Sequence, residues 1–97
     1  MPELIVYYPR HDGCRFDRDY YEVTHMKVVK DAWEPTGMTG KQIFWPHDDA
    51  QPFACMIAIS FTDNAAIDAS LSSSATPGVM ADVGKFTDIK PGIYRTD

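Results

Sequence analysis

One histidine in this sequence stands where an imidazole can do chemistry. His25 lies in a segment whose two ends are both marked. Asp17 has the short acceptor side chain that caps a helix, and Asp19 adds negative charge to the first turn. Pro35 and Gly37 end the helix at about Trp33 or Glu34. At about 100° per residue, Tyr21, His25, Val28 and Ala32 fall on one stripe, with Val29 at its edge. Lys27, Lys30 and Asp31 fall away from it. An imidazole on such a stripe faces a core, and its proton moves near neutral pH, so it can act as acid or base. Tyr21, one turn earlier, can orient it or share a proton. The same placement suits a structural histidine bonded to a backbone carbonyl, and periodicity does not choose between the two.

Other side chains supply surface rather than reactivity. Tyr7, Tyr8, Trp33, Trp45, Phe86 and Tyr94 are aromatics able to line an apolar pocket. Tyr7, Trp33, Trp45 and Phe86, with Met56, are the candidate substrate contacts, though each also suits plain core or a dimer interface. Asp88 can pair with a histidine or cap a turn. His47-Asp48-Asp49 has metal-binding residue types but not the spacing, since adjacent residues cannot all face one ion, and it reads as a solvated hairpin loop. No metal is expected. Cys14 near His11 has no third group to make it a nucleophile. No glycine-rich phosphate loop is present, so no nucleotide cofactor is expected.

The elements that must position these residues read in order. Leu4 to Tyr8 is a β-branched and aromatic strand ended by Pro9. After the first helix, Lys41 to Trp45 is a second strand. Phe53 to Phe61 is the third, with Phe53, Cys55, Ile57, Ile59 and Phe61 on a bulky face and Ala54, Met56, Ala58 and Ser60 on a small one. Thr62 or Asp63 caps a second helix from Ala65 to about Leu71. Thr76-Pro77 opens a further one or two turns that Gly84 stops. Ile89 to Arg95 is a last strand, which Pro91 and Gly92 either confine to an edge or give a bulge. The order β-α-β-β-α-β is ferredoxin-like α+β: an antiparallel sheet with helices on one face. The strands are apolar on both faces, so a second copy stacked sheet to sheet is expected to cover the bare side and close a barrel around a cavity.

Composition narrows the partners. The 97 residues are read as one domain, 1–97, carrying a formal charge of −5. The nine basic residues form no run, which disfavours nucleic acid and anionic membrane surfaces. Cys14 and Cys55 read as free thiols. Met1-Pro2-Glu3 has no basic start and no long apolar run follows it, so the cytoplasm is the expected compartment.

Two stretches resemble a known family. Phe16-Asp17-Arg18-Asp19-Tyr20-Tyr21-Glu22-Val23-Thr24-His25-Met26 is similar to the EthD signature, and Val79-Met80-Ala81-Asp82-Val83-Gly84-Lys85-Phe86-Thr87-Asp88-Ile89 is similar to that family's "MADVPNFTDI" stretch. Lys27 stands where the family usually has proline after His-Met, and Gly84-Lys85 where it has proline and asparagine. The resemblance implies a dimeric α+β barrel and a link to ethyl tert-butyl ether degradation beside a haem monooxygenase system. It also implies relatives among small decarboxylases, dehydratases and polyketide cyclases. Three functions stay open: a cofactor-free lyase, isomerase or decarboxylase acting through His25 on a small apolar oxygen-bearing molecule; a non-catalytic accessory or carrier for a monooxygenase; and a haem or oxygen-handling protein.

Overall fold

The computed structural model describes residues 2–97; Met1 of the Met1-Pro2-Glu3 start lies outside them. Strands β1 (Glu3–Pro9), β2 (Met38–Phe44), β3 (Phe53–Phe61) and β4 (Gly92–Arg95) form one antiparallel sheet in the order β2-β3-β1-β4. The two most apolar strands are therefore central. β4 is an edge strand, the first of the two expected alternatives, but it begins at Gly92 rather than Ile89, because Pro91 has no N–H for the ladder. β2 ends at Phe44, which leaves Trp45 beyond the strand.

Register decides which face is which. Leu4, Val6 and Tyr8 pair with Ile59, Ile57 and Cys55, and all but Val6 are fully buried in the core beneath the helices. The bulky face of β3 is the helix side. Phe53 departs from it: the register shifts between Tyr8 and Pro9, and the Phe53 ring meets Tyr7 edge-on at 5.6 Å. The opposite face carries Ile5, Tyr7, Phe44, Phe53, Met56 and Tyr94 around a shallow hollow lined by strand residues alone.

The first helix, α1, is not uniform. It opens with an α turn at Arg18–Tyr20, widens to a π-turn at Tyr21–His25, and continues as α-helix at Met26–Trp33. Asp17 caps it, accepting from Tyr20 N at 3.1 Å. The π-turn adds one residue, so the Met26 N–H reaches back to the Tyr21 carbonyl. The stripe is thereby rephased. Tyr21 and His25 are buried as expected, but the helix then buries Met26, Val29 and Trp33, while Val28 and Ala32 are half-buried flanks. A turn at Glu34–Thr36 ends on Gly37 at φ +115°, where an added Cβ would sit 2.5 Å from Ala66 Cβ.

Helix α2 (Asn64–Leu71) is capped by Asp63, which accepts from Ala66 N at 2.7 Å. Helix α3 (Thr76–Asp82) has Pro77 in its first turn. Thr76 is not its cap. Its hydroxyl bonds the Ser70 carbonyl and accepts from Trp33 Nε1 at 3.0 Å, tying α1, α2 and α3 together. α3 runs into a 3₁₀ turn at Val83–Lys85 and so passes through Gly84 instead of stopping there. No helix of the described residues is long and apolar enough to cross a membrane.

Candidate functional site

Tyr21 and His25, four residues apart across the π-turn of α1, both face inward. Their rings stack at 5.4 Å with planes 24° apart. Phe86, fully buried, closes over the imidazole at 4.5 Å between centroids. His25 itself is only 3% exposed. A buried imidazole needs partners, and the partner is Asp82 at the end of α3: His25 Nδ1 lies 2.9 Å from Asp82 Oδ2. The Tyr20 hydroxyl donates to the other oxygen, Oδ1, at 2.8 Å, and Lys85 Nζ lies 3.6 Å from that oxygen.

Charge follows from these contacts. Burial pushes the Asp82 carboxyl up, but hydrogen bonds from His25 and Tyr20 outweigh it and hold the group below the usual carboxylate range. Asp82 is then ionised and accepts only, so His25 Nδ1 carries the proton in this bond. Burial pushes the imidazole itself down, and the bond and charge of Asp82 offset this only in part. The net lowering favours the neutral ring, whose basic lone pair is then on Nε2.

Nε2 has no hydrogen bond among the described residues, yet every sealed polar side-chain atom there has a partner. It therefore keeps some exposed surface, and His25 is one of the residues lining the adjoining cavity. This cavity, about 60 Å³, lies between the helices and the sheet. Its walls are mainly aliphatic, including Leu4, Val29, Ile57, Ile59 and Val79, and Tyr8, Tyr21 and Thr76 also line it. Its lining reaches the surface at Met80 and Ile93, each about half exposed, between α3 and the β4 edge.

No protein-family model matches the sequence, and no curated protein does. Solved structures do match. An EthD-like protein of Ralstonia eutropha JMP134 aligns over 99% of this chain and 89% of its own, with a TM-score of 0.82 and 23% identity. The chain has the EthD-like fold. SnoaB, a cofactor-independent oxygenase of Streptomyces nogalater, aligns over 99% of this chain and 92% of its own, with a TM-score of 0.68 and 8% identity. A dimeric protein of ferredoxin-like fold from Bacteroides fragilis NCTC 9343 aligns over 99% and 94%, with a TM-score of 0.60 and 9% identity. At these identities the likeness is one of fold.

Within this EthD-like fold the candidate residues separate into groups. His25, Tyr21 and Trp33 line the inner cavity. Phe86 packs behind His25. Tyr7 and Met56 face the opposite side of the sheet, so they cannot touch a molecule beside His25. Trp45 sits outside the cavity, edge-on to Phe16 and Tyr21, with the Arg18 guanidinium 4.8 Å over its ring. Tyr21 stacks on His25 rather than bonding it, and its hydroxyl neighbours Tyr8 and Cys55. Asp88 pairs with a histidine, but with His11 and not with His25. It accepts from Arg15 N at 2.9 Å and lies 3.7 Å from His11.

The residue that sequence reasoning missed is Asp82. A signal existed: it follows Val79 by three on α3, so it shares that buried side, and it lies inside the stretch that resembles the family. His47 is exposed beside Asp48, whose carboxylate turns the loop by accepting from Ala50 N. Among the described residues, no three metal-ligating side chains gather closely enough to hold an ion. Both cysteines are free, and burial pushes the Cys55 thiol up to about 12.

Proposed function

We propose that this chain is a single EthD-like domain of the cytoplasm. It binds a small, apolar, oxygen-bearing organic molecule in the inner cavity and moves a proton with His25 Nε2, without a cofactor, as one step of a degradative pathway that includes a monooxygenase. The observation that carries the reading is the pairing of Asp82 with Nδ1, which leaves Nε2 without a hydrogen bond on a ring that lines an apolar cavity. An acid–base group of near-neutral character in a dry cavity suits proton abstraction, and hence lyase, isomerase or decarboxylase chemistry. The helix-free sheet face, with Phe44 and Tyr94 exposed, supports pairing with a second copy, as does the likeness to a dimeric protein of the same fold.

Deuterium exchange tests the chemistry without the natural substrate. Cyclopentanone in D2O, followed by proton NMR, loses its α-proton signals faster with the protein than with buffer alone. His25→Ala removes that acceleration while the fold is retained. Binding without exchange in the native protein contradicts the enzyme reading and leaves a carrier.

A further inference from the structure

The geometry points to Tyr20 and Lys85 as positioning residues that act through Asp82 to hold His25 in one tautomer, with Nδ1–H bonded and Nε2 bare, so that the site starts its chemistry by accepting a proton. This rests on the reading of His25 given above and adds the direction of the first step.

The Asp82 carboxylate is pinned at both oxygens. Oδ2 accepts the hydrogen bond from His25 Nδ1–H at 2.9 Å; Oδ1 accepts from the Tyr20 hydroxyl at 2.8 Å and has Lys85 Nζ at 3.6 Å. Three elements meet there: α1 brings His25 and Tyr20, α3 brings Asp82, and the following 3₁₀ turn brings Lys85. The π-turn between Tyr20 and His25 lets residues five apart reach one carboxylate. Tyr20 also stacks on Phe86 at 6.3 Å with planes 25° apart, which fixes where its hydroxyl points.

The consequence is electrostatic. A donor and a cation on Oδ1 spread the negative charge that would otherwise stabilise an imidazolium on the Oδ2 side. The other titratable groups around His25 are the Tyr21 and Tyr8 phenols. Burial keeps both neutral, so neither adds a charge that would favour the protonated ring. A neutral imidazole with bare Nε2 takes a proton from a substrate C–H or O–H: that bond breaks, an N–H bond forms at Nε2, and the electron pair stays on the substrate. Return of the same proton to another carbon completes an isomerisation; in an elimination the electron pair forms a double bond as the bond to the leaving group breaks, and the proton goes to that leaving group, so no oxidant is needed.

The test is an NMR titration of His25 in the full chain with imidazole-labelled histidine, which reads tautomer and protonation without any substrate. The expected spectrum at pH 7 is a neutral ring with the proton on Nδ1. Tyr20→Phe keeps the ring stack and raises the His25 midpoint by about half a unit to one unit. Lys85→Gln, at an exposed position, raises it by less. Asp82→Asn lowers it and weakens the preference for Nδ1–H. If Tyr20→Phe and Lys85→Gln leave midpoint and tautomer unchanged, the positioning role is overturned. It is also overturned if the resting ring is protonated. Failure of cyclopentanone exchange with the NMR behaviour intact would remove the enzymatic reading alone.

Discussion

Replacing Asp82 by alanine should destabilise the protein and steepen its loss of stability in acid. The substitution removes the acceptor of the His25 Nδ1–H bond at 2.9 Å. The side chains of His25 and Asp82 are 4% and 7% exposed, so water does not replace the lost partner freely. A buried donor left unsatisfied costs about 1–3 kcal/mol. What remains is a neutral ring rather than a stranded charge, which keeps the cost below the roughly 3–5 kcal/mol of breaking a buried ion pair. For a chain of this size, that corresponds to a fall in Tm of roughly 5–20 °C. The pH sign follows from the two depressed groups. His25 binds a proton less readily folded than unfolded, so its contribution is full above the unfolded histidine value and is lost as pH falls through the folded one. Asp82 acts in the same direction further into acid, from the unfolded carboxylate value down. Asp82→Ala removes the interactions that raise the His25 value, so its histidine opposes protonation still more. Urea unfolding at fixed protein concentration, at pH 7.5 and pH 5, reads both effects. The reasoning is refuted if Asp82→Ala unfolds within about 0.5 kcal/mol of the native protein at pH 7.5, or if the native protein is equally stable at both pH values.

Three other substitutions or modifications probe separate features. Gly37→Ala places a Cβ against Ala66 at a left-handed φ and should lower stability by about 1–3 kcal/mol in the same unfolding assay. Phe44→Asp together with Tyr94→Asp puts charge on the helix-free face, and sedimentation should show a native dimer at micromolar concentration becoming a monomer. Iodoacetamide at pH 8 should label Cys14 in the folded protein and both cysteines only in urea, because burial holds Cys55 as an inert thiol; mass spectrometry counts the additions.

Much of the scaffold could be read from local chemistry. Asp17 and Asp63 cap their helices as their side chains dictate, and Pro9, Pro35 and Gly37 end elements where ring or left-handed backbone requires it. Where reading failed, the cause was parity or phase. Tyr7 and Tyr8 are adjacent on a strand with two apolar faces, so nothing local says which looks into the cavity; pairing with Met56 and Cys55 decides it. The π-turn at Tyr21–His25 adds one residue that a fixed helical period cannot contain, so Met26, Val29 and Trp33 replaced Val28 and Ala32 on the buried side. Asp82 stands 57 positions from His25, and only the packing of α3 against α1 brings them together.

The proposed chemistry requires that His25 offer a bare Nε2 to a cavity that holds a small organic molecule. A crystal structure of the protein soaked with cyclopentanone tests it most directly. The ketone should lie between the helices and the sheet, with its α-carbon about 3–3.5 Å from Nε2 and Nδ1 still bonded to Asp82. An Nε2 hydrogen-bonded to a main-chain carbonyl, with packed side chains where the cavity should be, would contradict it.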